Sequence, residues 1–174
     1  MKRVKKGKLF FLLFLLGVFQ SSPALTQIET LFSPKVNLKE NLLKEIESAT
    51  STLELAIHEI TSLEMAHALV KARQRGVKVR VIADSKQAKM RTSKITHLIQ
   101  QGVLVKVLGG KEKGVMNLRF AILDEKRVLM GSFDWSDDSL KWNYENIFMI
   151  DESETVTIFQ KEFEKLWREK RVIK

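Results

Sequence analysis

The stretch that decides the fold is Asn117-Leu-Arg-Phe-Ala-Ile-Leu-Asp124, which is followed after six further residues by Gly131-Ser132. Residues 116–123 alternate apolar and polar side chains at first and then become apolar, which predicts a β-strand, and a strand turns residues i and i+2 to the same side. Asn117 and Arg119 would then point together from one face. Two polar residues on an amphipathic strand are usually just solvent-facing, so it is the spacing to Asp124 and to Gly131-Ser132 that suggests a site.

Outside this stretch the chain alternates short apolar runs with segments of helical periodicity. Strands are predicted over residues 28–32, 53–57, 77–84, 103–108, 116–123, 127–130 and 144–150. One helix begins at Asn37 and ends near Ala49, one runs from a Thr61-x-x-Glu64 capping box to Gly76, one covers residues 93–101, and the last covers 152–168. This order predicts an α/β fold of one domain, a mixed β-sheet flanked by helices on both faces.

The N-terminal residues form a separate segment. Five lysines and arginines within the first eight residues precede an apolar run over residues 9–19, and Ser21-Ser-Pro-Ala24 follows. This pattern predicts a signal peptide over residues 1–24, with residues 25–174 as the mature domain in the periplasm or secreted. The apolar run is shorter than the roughly 20 residues that span a bilayer, although an uncleaved membrane tether remains the alternative.

Charge and cysteine content limit the possible function classes. The chain of 174 residues has a formal charge of +9, which falls to near +4 once the five basic residues of the signal are removed. That mild excess is no signature of a nucleic-acid-binding protein by itself. The absence of cysteine means that an exported form would be stabilised by packing and charge pairing, without disulfides.

Over about residues 28–167 the chain resembles the short, secreted, single-motif endonucleases of the phospholipase D superfamily. In that superfamily the motif reads His-x-Lys-(x4)-Asp-(x6)-Gly-Ser, so Asn117 stands in place of His and Arg119 in place of Lys. The other matching segments are Leu31-Phe-Ser-Pro34, residues 71–80 running on to Asp84, Gly131-Ser-Phe-Asp-Trp135 and Asn143-Tyr-Glu-Asn146. The resemblance implies the phospholipase D-like fold and a phosphodiesterase acting on nucleic acid or phospholipid without a metal or other cofactor.

The same resemblance implies a dimer, because a complete active site takes two motifs and this chain carries one. A homodimer would meet through the motif face, and a heterodimer with an intact-motif paralogue is the alternative. Within the pocket, the resemblance implies catalytic positions and phosphate-binding positions. The catalytic ones are Asn117, Arg119, Asp124 and Glu145, and the phosphate-binding ones are Arg119, Ser132 and Asp134.

The roles in the superfamily show what the departures would cost. There the His attacks phosphorus, the partner motif's His protonates the leaving oxygen, the Lys binds the anionic oxygens and a Glu orients the His. Arg119 keeps the cationic charge of that Lys. Asn117 removes the nucleophile, a loss of about 10⁴ to 10⁶ in rate. Asp134 replaces an Asn and sets a carboxylate beside the phosphate, a repulsion of about 4 kcal/mol at 4 Å unless Arg119 neutralises it.

Some residues near the motif carry both a functional and a purely structural interpretation. Asp124 is also explained as a turn and ion-pair residue before Glu125-Lys126, and Gly131 as a backbone requirement. His58, which follows a predicted strand, is a possible rescue of the missing nucleophile. Residues 85–94, with four cations, form either a solvated loop or a contact for phosphate groups of nucleic acid or lipid. Three aromatic side chains either stack bases or pack at an interface: Trp135, Trp142 and Tyr144.

Two hypotheses of function follow. The first is a nuclease-type phosphodiesterase, impaired because Asn117 replaces the nucleophile. The second is an inactive pseudoenzyme that binds nucleic acid or anionic lipid through Arg119 and Ser132, or that serves only as a structural dimerisation module.

Overall fold

The computed structural model describes residues 28–170, so the predicted signal peptide lies outside the described residues. The strands are β1 (Ile28–Phe32), β2 (Thr52–Ile57), β3 (Lys78–Asp84), β4 (Leu104–Leu108), β5 (Arg119–Leu123), β6 (Arg127–Gly131) and β7 (Asn146–Ile150). The helices are α1 (Leu38–Ser48), α2 (Leu63–Gln74), α3 (Ile95–Gln100), α4 (Asp137–Lys141) and α5 (Ser153–Arg168), with a 3₁₀ turn at Gln87–Lys89.

All seven strands form one mixed sheet in the order β1-β7-β6-β5-β2-β3-β4. β2, β3 and β4 are parallel, because α2 and α3 carry the chain back between them, and the remaining neighbours are antiparallel. The register pairs Ile57 with Ala83 on one side and with Arg119 on the other. The carboxyl ends of the parallel strands therefore meet the start of β5 at one edge of the sheet.

Helices cover both faces, which confirms the predicted architecture. On one face α1, α2 and α3 bury a large core that includes Leu42, Leu55 and Leu69. On the other face α5 is the helix that covers the sheet within residues 28–170, and Phe163 packs among side chains such as Phe120. Val156, Phe159 and Leu166 of α5 join this second core, as their helical spacing predicts.

Several of the predicted helix ends are confirmed by their capping geometry. The Asn37 side chain accepts a hydrogen bond from the backbone N–H of Glu40 at 3.2 Å and so caps α1. Gly76 and Gly102 have φ of +98° and +76° after α2 and α3, a conformation that favours glycine. Among residues 28–170, no helix combines the length and the apolar character needed to cross a bilayer.

The capping box predicted at Thr61 and Glu64 is wrong. α2 begins after Ser62, whose hydroxyl donates to Asp137 at 2.8 Å and caps nothing. The Glu64 carboxylate pairs with Lys39 of α1. Partners on α1 and α4 therefore engage Glu64 and Ser62, two side chains that could otherwise have capped α2.

Two strands begin two or three residues later in the structure than the sequence predicts. The strand predicted over residues 116–123 starts only at Arg119, because the N–H of Met116 bonds to the Asp84 carboxylate instead of to a neighbouring strand. The strand predicted over 144–150 starts at Asn146, because the N–H of Glu145 bonds to the Ser33 hydroxyl at 2.9 Å. α4, which the sequence analysis did not predict, is capped by the Ser136 hydroxyl.

Candidate functional site

The motif lies at the edge of the sheet where β2 and β3 end and β5 begins. Arg119 is the first residue of β5, whereas Asn117 lies in the loop before it and is exposed. Strand alternation is therefore not what brings these two residues together. Arg119 Nη1 instead donates a hydrogen bond to Asn117 Oδ1 at 2.9 Å. The two side chains therefore lie together, as predicted, but through direct contact.

The rest of the Arg119 guanidinium is bound by Asp134. Arg119 Nε lies 3.0 Å from Asp134 Oδ1 and Nη2 lies 2.9 Å from Oδ2, a bidentate pair in which both side chains are about four-fifths buried. Every guanidinium nitrogen thus has an acceptor within the protein. A phosphate oxygen that bound Arg119 here would have to compete with the protein's own carboxylate.

The Ser132 hydroxyl is also engaged by a carboxylate. It donates to Glu145 Oε2 and accepts from the N–H of Asn146 at 3.2 Å. The second oxygen of Glu145 accepts from Ser139 Oγ at 2.9 Å and from Asn143 Nδ2 at 3.2 Å. Glu145 therefore orients the hydroxyls of Ser132 and Ser139 rather than the side chain at position 117.

Ser139, which was not predicted from the sequence, links the Arg119–Asp134 pair to the Ser132–Glu145 pair. Its hydroxyl donates to Glu145 and accepts from the N–H of Asp134 at 3.1 Å, so the carboxylate of Glu145 helps to fix the Asp134 backbone. Ser139 is placed there by α4, whose first turn is capped by Ser136. The spacing Ser136-x-x-Ser139 was the available signal, since a serine before a short helical turn is a common N-cap.

Gly131 precedes this network at a point of close approach. A side chain at position 131 would meet the carbonyl oxygen of Asn146 and the ring of Phe133. A glycine is therefore required by packing where β6 delivers Ser132 to the site.

Asp124 is not brought to the other motif residues. It follows the last residue of β5, and its carboxylate accepts hydrogen bonds from the N–H groups of Thr50, Ser51 and Thr52 at 2.7–3.1 Å. The length of β5, about 3.4 Å per residue, separates it from Arg119. Its partners are amides and hydroxyls, and it ties the loop before β2 to the turn after β5, where its φ is +52°.

These contacts make Asp124 a stability residue whose effect depends on pH. Burial opposes ionisation, but the amides of Thr52, Ser51 and Thr50 hold the pKa of the Asp124 carboxyl well below its ordinary value. The folded state therefore gains stability above about pH 4, the pKa expected in the unfolded chain, and loses it as the pH falls toward the folded value.

We expect Asp124→Asn to lower the free energy of unfolding by about 1–3 kcal/mol at neutral pH, measured by urea denaturation. Its matched control is Glu125→Gln on the same turn, an exposed residue that should change stability by less than about 0.5 kcal/mol. The deficit of Asp124→Asn should shrink as the pH is lowered from about 5 to 3. Equal stabilities of the two variants at neutral pH would contradict the anchoring role.

His58 lies one residue beyond β2, beside the motif loop. Its Nδ1 is 3.2 Å from the carbonyl oxygen of Met116. A carbonyl oxygen only accepts, so Nδ1 is the donor in this contact. Within residues 28–170 no hydrogen bond joins His58 to Asn117, Arg119 or Ser132. The rescue of catalysis by His58 therefore stays a prediction.

A shallow depression of about 430 Å³ opens beside the Arg119–Asp134 pair. Four of its lining residues are acidic and no lysine or arginine lines it; the four are Glu59, Asp134, Asp138 and Glu145. Within the described part of the chain, no group of three metal-binding side chains is placed to hold an ion. The depression next to the motif is therefore electronegative, which disfavours the binding of a phosphate group within it.

Residues 42–167 match the sequence model of the family described as "Cardiolipin synthase, PLD-like domain". That match covers well over half of the chain. The chain belongs to the phospholipase D superfamily. As a phospholipase D-like domain with a single motif, it has Asn117 and Arg119 at the His and Lys positions of the superfamily pattern.

Known proteins agree with this assignment in sequence and in fold. The mitochondrial cardiolipin hydrolase of Mus musculus is 34% identical over 128 residues, which cover 74% of this chain and 57% of that protein. This phospholipase D-like chain thus spans little more than half the length of that relative. The solved structure of NucT from Helicobacter pylori is 29% identical, with a TM-score of 0.76, and the alignment covers 80% of this chain and 94% of that one.

A second solved structure supports the fold alone. Nuc from Salmonella typhimurium, a phospholipase D family member, has a TM-score of 0.76 at 21% identity, and the alignment covers 84% of this chain and 97% of that one. The predicted mixed sheet with helices on both faces is therefore confirmed as the phospholipase D-like fold.

The aromatic side chains near the motif divide into two kinds. Trp135 is 2% exposed and packs in the larger core, so the prediction that it stacks bases is wrong. Trp142 and Tyr144 are 68% and 89% exposed on the loop before β7. Of the three, Trp142 and Tyr144 are therefore exposed enough to contact another molecule, and Lys141 Nζ already lies 4.5 Å from the ring centroid of Trp142.

Proposed function

We propose that this chain is a catalytically silent phospholipase D-like domain that recognises a phosphodiester anion through Arg119, in competition with its own Asp134. The observation that carries the proposal is the complete engagement of the Arg119 guanidinium by Asp134 and Asn117. The pseudoenzyme hypothesis is thereby preferred over the impaired nuclease. The name of the cardiolipin hydrolase relatives makes an anionic phospholipid phosphodiester one candidate ligand, beside nucleic acid.

The loss of catalysis follows from the side chain at position 117. A carboxamide neither ionises near neutral pH nor attacks phosphorus, and its Oδ1 is turned toward Arg119 as a hydrogen-bond acceptor. The side chain at position 117, which in the superfamily forms the bond to phosphorus, here accepts a hydrogen bond from Arg119, the anion-binding residue. The site keeps the cation Arg119, which Asp134 occupies, and the Ser132 hydroxyl, which donates to Glu145, but it lacks the nucleophile that would cleave a bound phosphodiester.

Recognition of an anion is possible only at a cost. At 4 Å and an effective dielectric near 20, the Asp134 carboxylate repels a phosphate by about 4 kcal/mol, and it also occupies the nitrogens that a phosphate would use. Removal of that carboxylate therefore should expose the anion site. The predicted homodimer, or heterodimer with an intact-motif paralogue, stays a prediction and is not needed for this binding.

We expect Asp134→Asn to bind bis-p-nitrophenyl phosphate about 10- to 100-fold more tightly than the native chain, measured by isothermal titration in EDTA. Arg119→Ala in the Asp134→Asn background should abolish that gain. The native chain should release no p-nitrophenolate above background from the same compound, and none of the expected products from single-stranded DNA, RNA or cardiolipin.

The matched control is Asp138→Asn, which removes an equal charge from the same depression without a contact to Arg119. An equal gain in affinity for both variants would show that the effect comes from the lower negative charge of the depression and not from the release of Arg119. Turnover by the native chain would reject the silent domain, and unchanged binding by Asp134→Asn would reject Arg119 as the anion-binding residue.

A further inference from the structure

Two loops beside the motif form a surface that we call the basic lobe, residues 85–94 and 109–118. Both loops leave the same edge of the sheet, after β3 and after β4. The basic lobe holds six cations against one carboxylate, Glu112; the cations are Lys86, Lys89, Arg91, Lys94, Lys111 and Lys113. Within the residues that the structure describes, the ion pairs lie elsewhere and none of these six takes part in one.

A buried carboxylate fixes the two loops of the basic lobe relative to one another. Asp84, at the end of β3, is fully buried, and its Oδ1 accepts from the N–H groups of Lys86 at 2.9 Å and Gln87 at 3.0 Å. Its Oδ2 accepts from the N–H of Met116 in the second loop at 2.9 Å. Lys86 Nζ also donates to the carbonyl oxygen of Lys113 at 2.9 Å. The basic lobe is therefore one preorganised surface.

Apolar side chains are exposed among the cations of the basic lobe. Met90 is 57% exposed between Lys89 and Arg91, Val115 is 41% exposed, and Leu118 is 37% exposed. Apolar side chains are exposed elsewhere on this protein as well, for example Ile99 and Ile158, so what distinguishes the basic lobe is their position among six cations. Cations that surround exposed apolar side chains are the combination that binds the interface of an anionic bilayer.

We propose that the basic lobe docks this protein on an anionic lipid bilayer. The lysines and Arg91 would contact the acidic headgroups, while Met90, Val115 and Leu118 enter the interfacial layer. The proposal goes beyond the anion site at Arg119, because the lobe would hold the whole domain at the surface whether or not Arg119 binds a phosphodiester. It would also turn the motif edge toward the headgroups.

Two features favour a bilayer over a nucleic acid. Proteins that bind single strands stack the bases on aromatic side chains, and residues 85–94 and 109–118 contain no aromatic residue. The depression that adjoins the basic lobe carries four carboxylates, which would repel a phosphate backbone running along the edge. A bilayer would contact the cations and exposed apolar side chains of the basic lobe and need not enter that depression.

The charge test uses the full chain and its Lys89→Gln/Arg91→Gln/Lys113→Gln variant, in co-sedimentation with vesicles of about 30 mol% phosphatidylglycerol in phosphatidylcholine. We expect the partition coefficient to fall about 100-fold, since each cation near an anionic surface contributes about fivefold. The matched control is Lys78→Gln/Lys126→Gln/Lys161→Gln, three exposed cations away from the lobe, and it should lose less than about tenfold. Residues 1–27 are common to all of these proteins, so their contribution cancels in the comparison.

The insertion test exploits the absence of cysteine from the chain. Met90→Cys labelled with a polarity-sensitive fluorophore should shift its emission to the blue on anionic vesicles, and Lys126→Cys with the same label should not. Equal losses in the two charge variants, or no shift at position 90, would overturn the proposal. So would a lobe variant that loses affinity for single-stranded DNA and keeps its affinity for vesicles. All of these variants retain Asn117, Arg119 and Asp134, so failure of docking is distinct from failure of anion recognition.

Discussion

The Asn117→His/Asp134→Asn double variant is expected to hydrolyse bis-p-nitrophenyl phosphate in EDTA at least about 10³-fold faster than the native chain. Two separate defects explain why both changes are needed. Asn117 offers no nucleophile, and Asp134 holds the Nε and Nη2 of Arg119 that would bind the phosphate oxygens. Either single variant should therefore stay near the native rate, and the gain should be far from additive.

The reaction also needs an acid to protonate the leaving oxygen, which the superfamily takes from the second motif. If two copies of the double variant assemble, the single change at position 117 supplies both the nucleophile and the acid. Hydrolysis measured against protein concentration would then rise more steeply than linearly while dimers form, which makes the assay a test of the predicted homodimer as well.

The control for the double variant is Asn117→Gln/Asp134→Asn, which frees Arg119 equally but supplies no imidazole and should remain inactive. Adding Arg119→Ala to the active double variant should remove most of the gain. A single Asn117→His variant that reaches the rate of the double variant would show that Asp134 does not block the site, and it would refute the competition between Asp134 and phosphate.

The largest expected loss of stability comes from Arg80, far from the motif. This side chain lies between β3 and α5, 7% exposed, where it bonds to the carboxylates of Glu54 and Glu164. Its guanidinium also lies 5.1 Å from the ring centroids of Phe163 and Trp167. Arg80→Met would leave Glu54, which is 3% exposed, without its cation. We expect this variant to lose about 3–5 kcal/mol of unfolding free energy in urea denaturation.

The control for Arg80 is the Arg80→Met/Glu54→Leu variant, which removes the buried pair as a whole. Replacement of a buried ion pair by apolar side chains of similar volume is often nearly neutral, so this double variant should recover most of the lost stability. An Arg80→Met variant as stable as the native chain would show that water or a neighbouring group compensates Glu54. The double variant also separates loss of the ion pair from loss of packing against Phe163 and Trp167.

Much of the fold could be predicted from the sequence because its signals are local. Periodicity of apolar residues marked every strand and four of the helices, and Asn37, Gly76 and Gly102 marked ends that the structure confirms. The predictions of strand and helix ends fail where a residue distant in sequence binds a group in place of its local partner. Asp84 takes the N–H of Met116 and so shortens β5, and Lys39 takes the carboxylate of Glu64 from the predicted capping box.

The sequence by itself determined the superfamily, the loss of the nucleophile at position 117 and the excess of cations in residues 85–94, because residue identity and spacing are properties of the chain. Only the tertiary structure decided how those residues are used. It turned Asp134 onto Arg119, bound the hydroxyls of Ser132 and Ser139 to Glu145, and placed Asp124 at the far end of β5. The physical reason is that a hydrogen bond or an ion pair requires two groups within about 3 Å. Ser132 and Glu145, 13 positions apart, and Thr50 and Asp124, 74 positions apart, meet at that distance only after the sheet has formed.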